Sequence, residues 1–214
     1  MVEFSNRYLS RLVARHALDA IASVTYKQQA YKMINGKTVL AVIPARGGSK
    51  RVPGKNLREY RGKSLLLLVY ESMRGSKYID ALVVSTDDDE IRRATEQIGT
   101  VIVRNRPAEL ATDEASSEDV LRDVLALFPA YWVVLLQPTS PLRTAEDIDA
   151  CIERAQMGDG CISYSNGTWR PNGAVYVAKA EWIAKHDFSH AGLMKYIMPE
   201  ERSLDINEPE DFDK

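Results

Sequence analysis

Apolar residues recur along this chain with two different periods. Short β-branched runs read as strands buried on both faces: "TVLAVIPA" (38–45), "DALVVSTD" (80–87), "TVIVRN" (100–105), "YWVVLLQP" (131–138) and "GAVYVA" (173–178). Between and after them lie longer stretches with one apolar stripe, which read as helices: "KSLLLLVYESMRGS" (63–76), "DDEIRRATEQIG" (88–99), "SSEDVLRDVLALF" (116–128), "TAEDIDACIERAQM" (144–157) and the start of one at "KAEWIAKH" (179–186). Punctuation supports the pattern. A serine opens the 116–128 stretch, Thr144 stands at a cap position, Gly99 closes a helix and Pro138 stops a strand. Residues 3–33 also read as helix, with Phe4, Tyr8, Leu12, Val13 and Ile21 at helical spacing until Asn35-Gly36 breaks the run.

Strands alternating with helices predict an α/β fold with a mostly parallel sheet covered on both faces. Two parts are expected: a helical extension over 1–37, and the α/β domain over 38–214. In such sheets ligands bind beyond the carboxyl ends of the strands. The polar segments of this chain sit there: "PARGGSK" after the first strand, "STDDD" after the second and "QPTSPLR" after the fourth.

Composition changes the picture only by exclusion. The 214 residues are 45% hydrophobic and 27% charged, with a formal net charge of -2, so nothing favours a nucleic-acid or membrane partner. No apolar run approaches the roughly 20 residues a membrane span needs. Arg7, Arg11 and Arg15 interrupt any leader-like core. The extension reads as a packing or oligomerisation arm, with a transit peptide as the alternative because it bears arginine and few acids. Cys151 and Cys161 match no zinc spacing and read as buried thiols in a reducing, cytoplasmic setting. His16, His186 and His190 show no partner pattern and read as surface or packing residues.

One loop stands apart. "IPARGGSKRVPGKN" (43–56) carries Arg46, Lys50, Arg51 and Lys55 around the pair Gly47-Gly48. Glycines let backbone amides approach an anion, and guanidinium groups grip phosphate in two-pronged fashion. The spacing fits neither a Walker A loop nor the dinucleotide fingerprint. A triphosphate cradle of another type is the expectation; a solvated basic loop is the alternative.

These residues, with "VVSTDDDEI", "RPAELATDEASS", "LQPTSPLRTAEDID", "NGAVYV" and "SLDINEPEDF" in that order, resemble the CMP-sialic acid synthetases (acylneuraminate cytidylyltransferases) over about residues 38–214. The resemblance implies a three-layer, Rossmann-like nucleotidyltransferase domain. It implies attack of a sugar-acid hydroxyl on the α-phosphorus of CTP, with Mg2+ assisting and pyrophosphate leaving. By resemblance Arg46, Gly47, Gly48, Ser49, Lys50 and Lys55 hold the triphosphate, with Lys55 and Arg46 catalytic. Asn56 reads the cytosine edge, and Arg106 lies near the nucleotide. Asp113 is placed there too, and for both Arg106 and Asp113 fastening of the loop is an equal reading. Gln137, Thr139, Ser140, Arg143 and Asn172 are implied for the acceptor, and Asp87, Asp205 and Asn207 for the metal. Asp88 and Asp89 read instead as the charged start of a helix.

Two departures qualify the resemblance. The family's later motif is commonly Asp-Ile-Asp, and Asn207 replaces the second carboxylate. Only 28 residues, Thr144 to Pro171, separate "QPTSPLR" from "NGAVYV", where the family carries a longer dimerisation and acceptor-binding insertion. The resemblance thus implies CTP and an acidic sugar as partners, in a homo-oligomer. A catalytically weak nucleotide-binding regulator, or a transferase using another base or acceptor, remains the alternative.

Overall fold

The computed structural model describes residues 33–214. The helix expected over 3–33 therefore lies, but for Met33, outside the described residues, as does His16. Seven strands form one sheet in the order β5-β4-β1-β6-β8-β7-β9. They are β1 (Val39–Pro44), β4 (Ala81–Thr86), β5 (Ile102–Asn105), β6 (Trp132–Leu135), β7 (Gly160–Ser165), β8 (Pro171–Lys179) and β9 (Met194–Met198). β1 pairs in parallel with both β4 and β6, placing Ala41 beside Leu82 and Val134. β4 and β5 are also parallel. β8 runs antiparallel to β6 and β7, and β7 is parallel to β9. The mostly parallel sheet expected from the apolar runs is present.

Alternation along β1 builds the layers. Ala41 and Ile43 feed one core with Leu66, Val69, Ile148 and Ile152, while Leu40 and Val42 feed the other with Leu121, Val124, Trp182 and Ile183. Each fully buried Leu or Ile stabilises the fold by about 1.5–3 kcal/mol relative to exposure. The first core takes helices α1 (Leu65–Arg74) and α4 (Ala145–Ala155); the second takes α3 (Ser117–Leu127) and the short α5 (Ala180–Ile183). α2 (Asp89–Ile98) packs near β4 and β5. No described helix is long and apolar enough to cross a membrane.

Capping follows the sequence closely. Ser64 accepts from the Leu67 amide at 3.2 Å. Asp88 caps α2, and capping boxes Ser116/Asp119 and Thr144/Asp147 open α3 and α4. Cys151 and Cys161 are buried thiols, as expected. His186 and His190 pack against Trp182, with ring centroids 4.9 and 6.1 Å away. Three elements escape the sequence reading. They are β7, β9 and the hairpin of β2 (Glu59–Tyr60) and β3 (Lys63–Ser64). The hairpin matters because Tyr60 and Leu65 bury Ile206, which fixes the C-terminal segment beside the opening loop.

Candidate functional site

A cavity of about 600 Å³ opens at the carboxyl ends of β1 and β6, where the sequence pattern places it. The loop after β1 contributes Arg46, Ser49, Lys50, Arg51, Lys55 and Asn56 to its wall. The loop after β6 contributes Gln137 and Thr139, and the C-terminal segment contributes Asp205 and Asn207. Arg106 enters from the end of β5. These eleven residues thus come from four separate stretches of chain.

The cations are held, each by the protein itself. Arg46 donates to the Thr112 carbonyl at 2.8 Å and to Asp113 Oδ1 at 2.5 Å. Lys50 meets Asp113 Oδ2 at 2.5 Å. Arg51 pairs with Glu208 at 3.1 Å, and Lys55 Nζ donates to the Ile206 carbonyl at 3.1 Å. Burial pulls the Lys55 ammonium below its ordinary range, against the attraction of Asp205. Arg106 is buried and bonds Ser85 through Nε and Nη2. Burial pulls it down to about 10, so it stays cationic near neutral pH.

Asp205 is set by its neighbours. Asn207 Nδ2 donates to Asp205 Oδ2 at 2.8 Å, leaving Oδ1 buried and without a partner. Gly173, at φ 77°, explains the crowding here. A Cβ at Gly173 would lie 2.9 Å from Gln137 Oε1 and 3.6 Å from both Ser140 Oγ and Asp205 Cγ. The three side chains therefore surround one point. Ser140 Oγ is also buried and unpartnered among the described residues, and Gln137 lines the cavity. Unpartnered buried oxygens are costly, so this cluster is shaped for a guest. Among the described residues no group of three or more His, Cys, Asp or Glu side chains is placed to hold a metal. Magnesium asks for less: oxygen donors, one or two of them carboxylate, with waters completing its shell. The Asp205 carboxylate, grouped around Gly173 with the Gln137 and Ser140 oxygens, fits that chemistry.

Four placements differ from expectation. Gly47 and Gly48 do not line the cavity; the Gly47 amide donates to Asp87 Oδ1 at 3.0 Å instead. Gly47 is required by close approach, since a Cβ there would stand 2.5 Å from Asp88 Oδ2. Asp87 lines a separate recess of about 510 Å³, reached past Arg106 and Thr112, and shares no cavity with Asp205. Arg143 is buried beneath the floor, donating to the Ala174 and Gln137 carbonyls at 2.6 and 3.1 Å; burial pulls it down to about 9. It braces the loop that carries Gln137. Asn172 is buried too, bonded to Ser163, Ser203 and the Ala174 amide, so its amide is spent on protein. Asn56 lines the cavity as expected; its Nδ2 gives one N–H to the Arg46 carbonyl at 2.8 Å and keeps the other, with the oxygen, for a ligand.

The sequence reading treated "SSED" as a helix start and nothing more. Ser116 does cap α3, but Ser117 lines the cavity beside it and takes no part in the cap. The doubled serine was the available signal: one hydroxyl suffices for a cap. The N-terminus of α3 also offers a partial positive charge to an anion.

Comparison with known proteins bears on the family and the fold. A family model described as "Cytidylyltransferase" matches residues 40–171, more than half of the chain. The chain is 30% identical to the N-acylneuraminate cytidylyltransferase of Escherichia coli O18:K1:H7, over 82% of this chain and 50% of that protein. It therefore spans about half the length of that curated relative. It is also 30% identical to the CMP-N,N'-diacetyllegionaminic acid synthase of Legionella pneumophila, over 81% of this chain and 93% of that one. The solved structure of a CMP:2-keto-3-deoxy-manno-octonic acid synthetase complexed with CTP superposes with a TM-score of 0.61 at 17% identity, covering 76% of this chain and 90% of that one. A 4-diphosphocytidyl-2C-methyl-D-erythritol synthase gives 0.63 at 15% identity, covering 82% and 95%. At such identities the superpositions speak to the fold alone.

Proposed function

The chain belongs to the cytidylyltransferase family, and on that premise we propose that it transfers CMP from CTP to a hydroxyl of an acidic sugar. One observation carries the reading. Five cations, Arg46, Lys50, Arg51, Lys55 and Arg106, line a single cavity that Gln137 and Asp205, whose Oδ1 is unpartnered, also line. Transfer of a phosphoryl group needs positioning and charge neutralisation more than covalent help from protein. The cation wall suits a triphosphate, and Lys55, between that wall and Asp205, suits the phosphorus that reacts. The acceptor oxygen forms the new bond to that phosphorus as the bond to the bridging oxygen breaks and pyrophosphate leaves.

Magnesium belongs to the same reading, held by Asp205 with the Gln137 and Ser140 oxygens nearby. When bound it would polarise phosphate oxygens and neutralise charge. The acceptor is read as a nonulosonic or related sugar acid, since the relatives named above include synthases of activated sialic and legionaminic acids. A homo-oligomer in the cytoplasm completes the reading, with sedimentation of the full chain as its check. A second reading is a nucleotide-binding regulator without turnover, favoured by Asn207, whose amide is turned onto Asp205 and adds no charge to the site.

The deciding experiment incubates the protein with CTP, Mg2+ and a panel of acidic sugars, and identifies products by mass. A CMP ester with released pyrophosphate is expected. CTP binding without any product would favour the second reading. Turnover with UTP, ATP or GTP in place of CTP would overturn the choice of base.

A further inference from the structure

Asp113 stands in the cavity in an unusual role for a residue of a polyanion site. Its two carboxylate oxygens each hold a cation of the opening loop, Oδ1 on Arg46 and Oδ2 on Lys50, both at 2.5 Å. The Thr112 carbonyl takes the remaining face of Arg46 at 2.8 Å. Asp113 itself is exposed, lies in no helix or strand, and bonds nothing else among the described residues. A carboxylate spread over two cations in this way occupies the place of two non-bridging phosphate oxygens. The contact fastens no buried element: the neighbouring turn is closed separately, by the Ala115 amide on Thr112 Oγ1 at 3.3 Å. Arg51 and Lys55, by contrast, are tied to the C-terminal segment.

We infer that Asp113 is a specificity-determining residue, a resident anion that a polyphosphate displaces and a single phosphate does not. The inference rests on the triphosphate reading of the cavity. The carboxylate brings one negative charge, whereas a terminal phosphate brings about 1.5–2 near neutral pH. A triphosphate therefore outcompetes it at Arg46 and Lys50. A product whose one phosphate is esterified on both sides brings a single charge, and the one phosphate of a nucleoside monophosphate is the one read at Lys55, so neither presents a terminal phosphate to Arg46 and Lys50. Asp113 returns to Arg46 and Lys50 as pyrophosphate leaves, which keeps the cradle from retaining its by-product.

The test measures dissociation constants for CTP, CDP, CMP and inorganic pyrophosphate by titration calorimetry in EDTA, on the full chain and on Asp113→Asn. The substituted side chain keeps its shape and loses its charge. Releasing two exposed ion pairs should tighten CTP and pyrophosphate by roughly two- to thirtyfold. CMP should change by less than about twofold, with CDP between. The variant should also make pyrophosphate a stronger product inhibitor. Unchanged or weaker CTP binding by the variant would overturn the inference while leaving the cavity reading intact, and so would an equal gain for CMP and CTP. Weakening seen only when Mg2+ is added would overturn it too, by making Asp113 a helper of the cation. If the full chain binds none of the four anions, the cavity reading itself falls, and the inference with it.

Discussion

Lys55 is the residue whose loss should cost most. Its ammonium sits between the cation wall and Asp205, and burial already lowers its pKa. Lys55→Ala should lower kcat/KM by about a hundred- to a thousandfold, the usual effect of removing one donor from developing charge. A loss under tenfold would place the reacting phosphate elsewhere. The sign of the shift adds a pH prediction. Lys55 gives up its proton below the ordinary value of 10.5, so activity should decline on the alkaline side sooner than an unperturbed lysine would allow. Gly47 offers a steric test, because its φ is unremarkable and only space is at issue. Gly47→Ala drives a methyl toward Asp88 Oδ2, the second oxygen of the carboxylate whose Oδ1 caps α2. Loss of such a cap costs about 0.5–2 kcal/mol, readable as a lower Tm with a raised KM for CTP. At this scale the sequence was informative about identity and poor about direction. Arg143 and Asn172 sit in polar motifs at strand ends, yet the fold turns both inward onto backbone carbonyls and serines. No local pattern distinguishes an arginine that faces a cavity from one that holds its floor.

Among the elements, the clasp between α4 and the C-terminal segment governs the site at a distance. Asp147, fully buried in the capping box of α4, receives Arg202 Nε and Nη2 at 3.0 and 2.8 Å and the Tyr196 hydroxyl at 3.0 Å. Burial alone would raise its pKa; Arg202, the Thr144 amide and Tyr196 together outweigh that and hold it below 3.8. A carboxyl depressed on folding contributes stability above its unfolded pKa and loses it as pH falls through the folded one. Acid unfolding below about pH 4 should therefore be shallower in Asp147→Asn, with the variant about 3 kcal/mol less stable near neutrality. Denaturant titrations across pH check both. Arg202 lies three residues before Asp205, so the variant should also weaken whatever Asp205 holds. The clasp was invisible in sequence because Asp147 is one of several acids in the first turn after Thr144, and its bond to Tyr196 depends on β9, a strand of five residues at the sheet edge. Long buried runs such as β1 were plain by contrast, since both faces of the strand are apolar.

For the molecule as a whole, nucleotide binding should appear as added stability. CTP at about a hundred times its dissociation constant should stabilise the fold by about 2.7 kcal/mol, measured as a rise in Tm, and the rise should shrink with salt. An equal rise with all four nucleoside triphosphates would show that phosphate alone is recognised. The layered architecture and the place of the crevice were both legible, because strand-helix alternation and strand-end polarity are properties of the chain itself. The fold-back of β7, β8 and β9, which gives the sheet its mixed edge, was not, since turn and register there depend on partners remote in sequence.

That remoteness bears on how the molecule is made. Lys55 and Arg51 rest on groups 151 and 157 residues downstream. A nascent chain emerging from the ribosome thus displays these cations bare until the last segment arrives. Small multivalent anions are natural escorts for such a folding intermediate. Refolding from urea should accordingly speed up in millimolar pyrophosphate, and an unaltered rate would mean that the loop takes shape only after its downstream partners have docked.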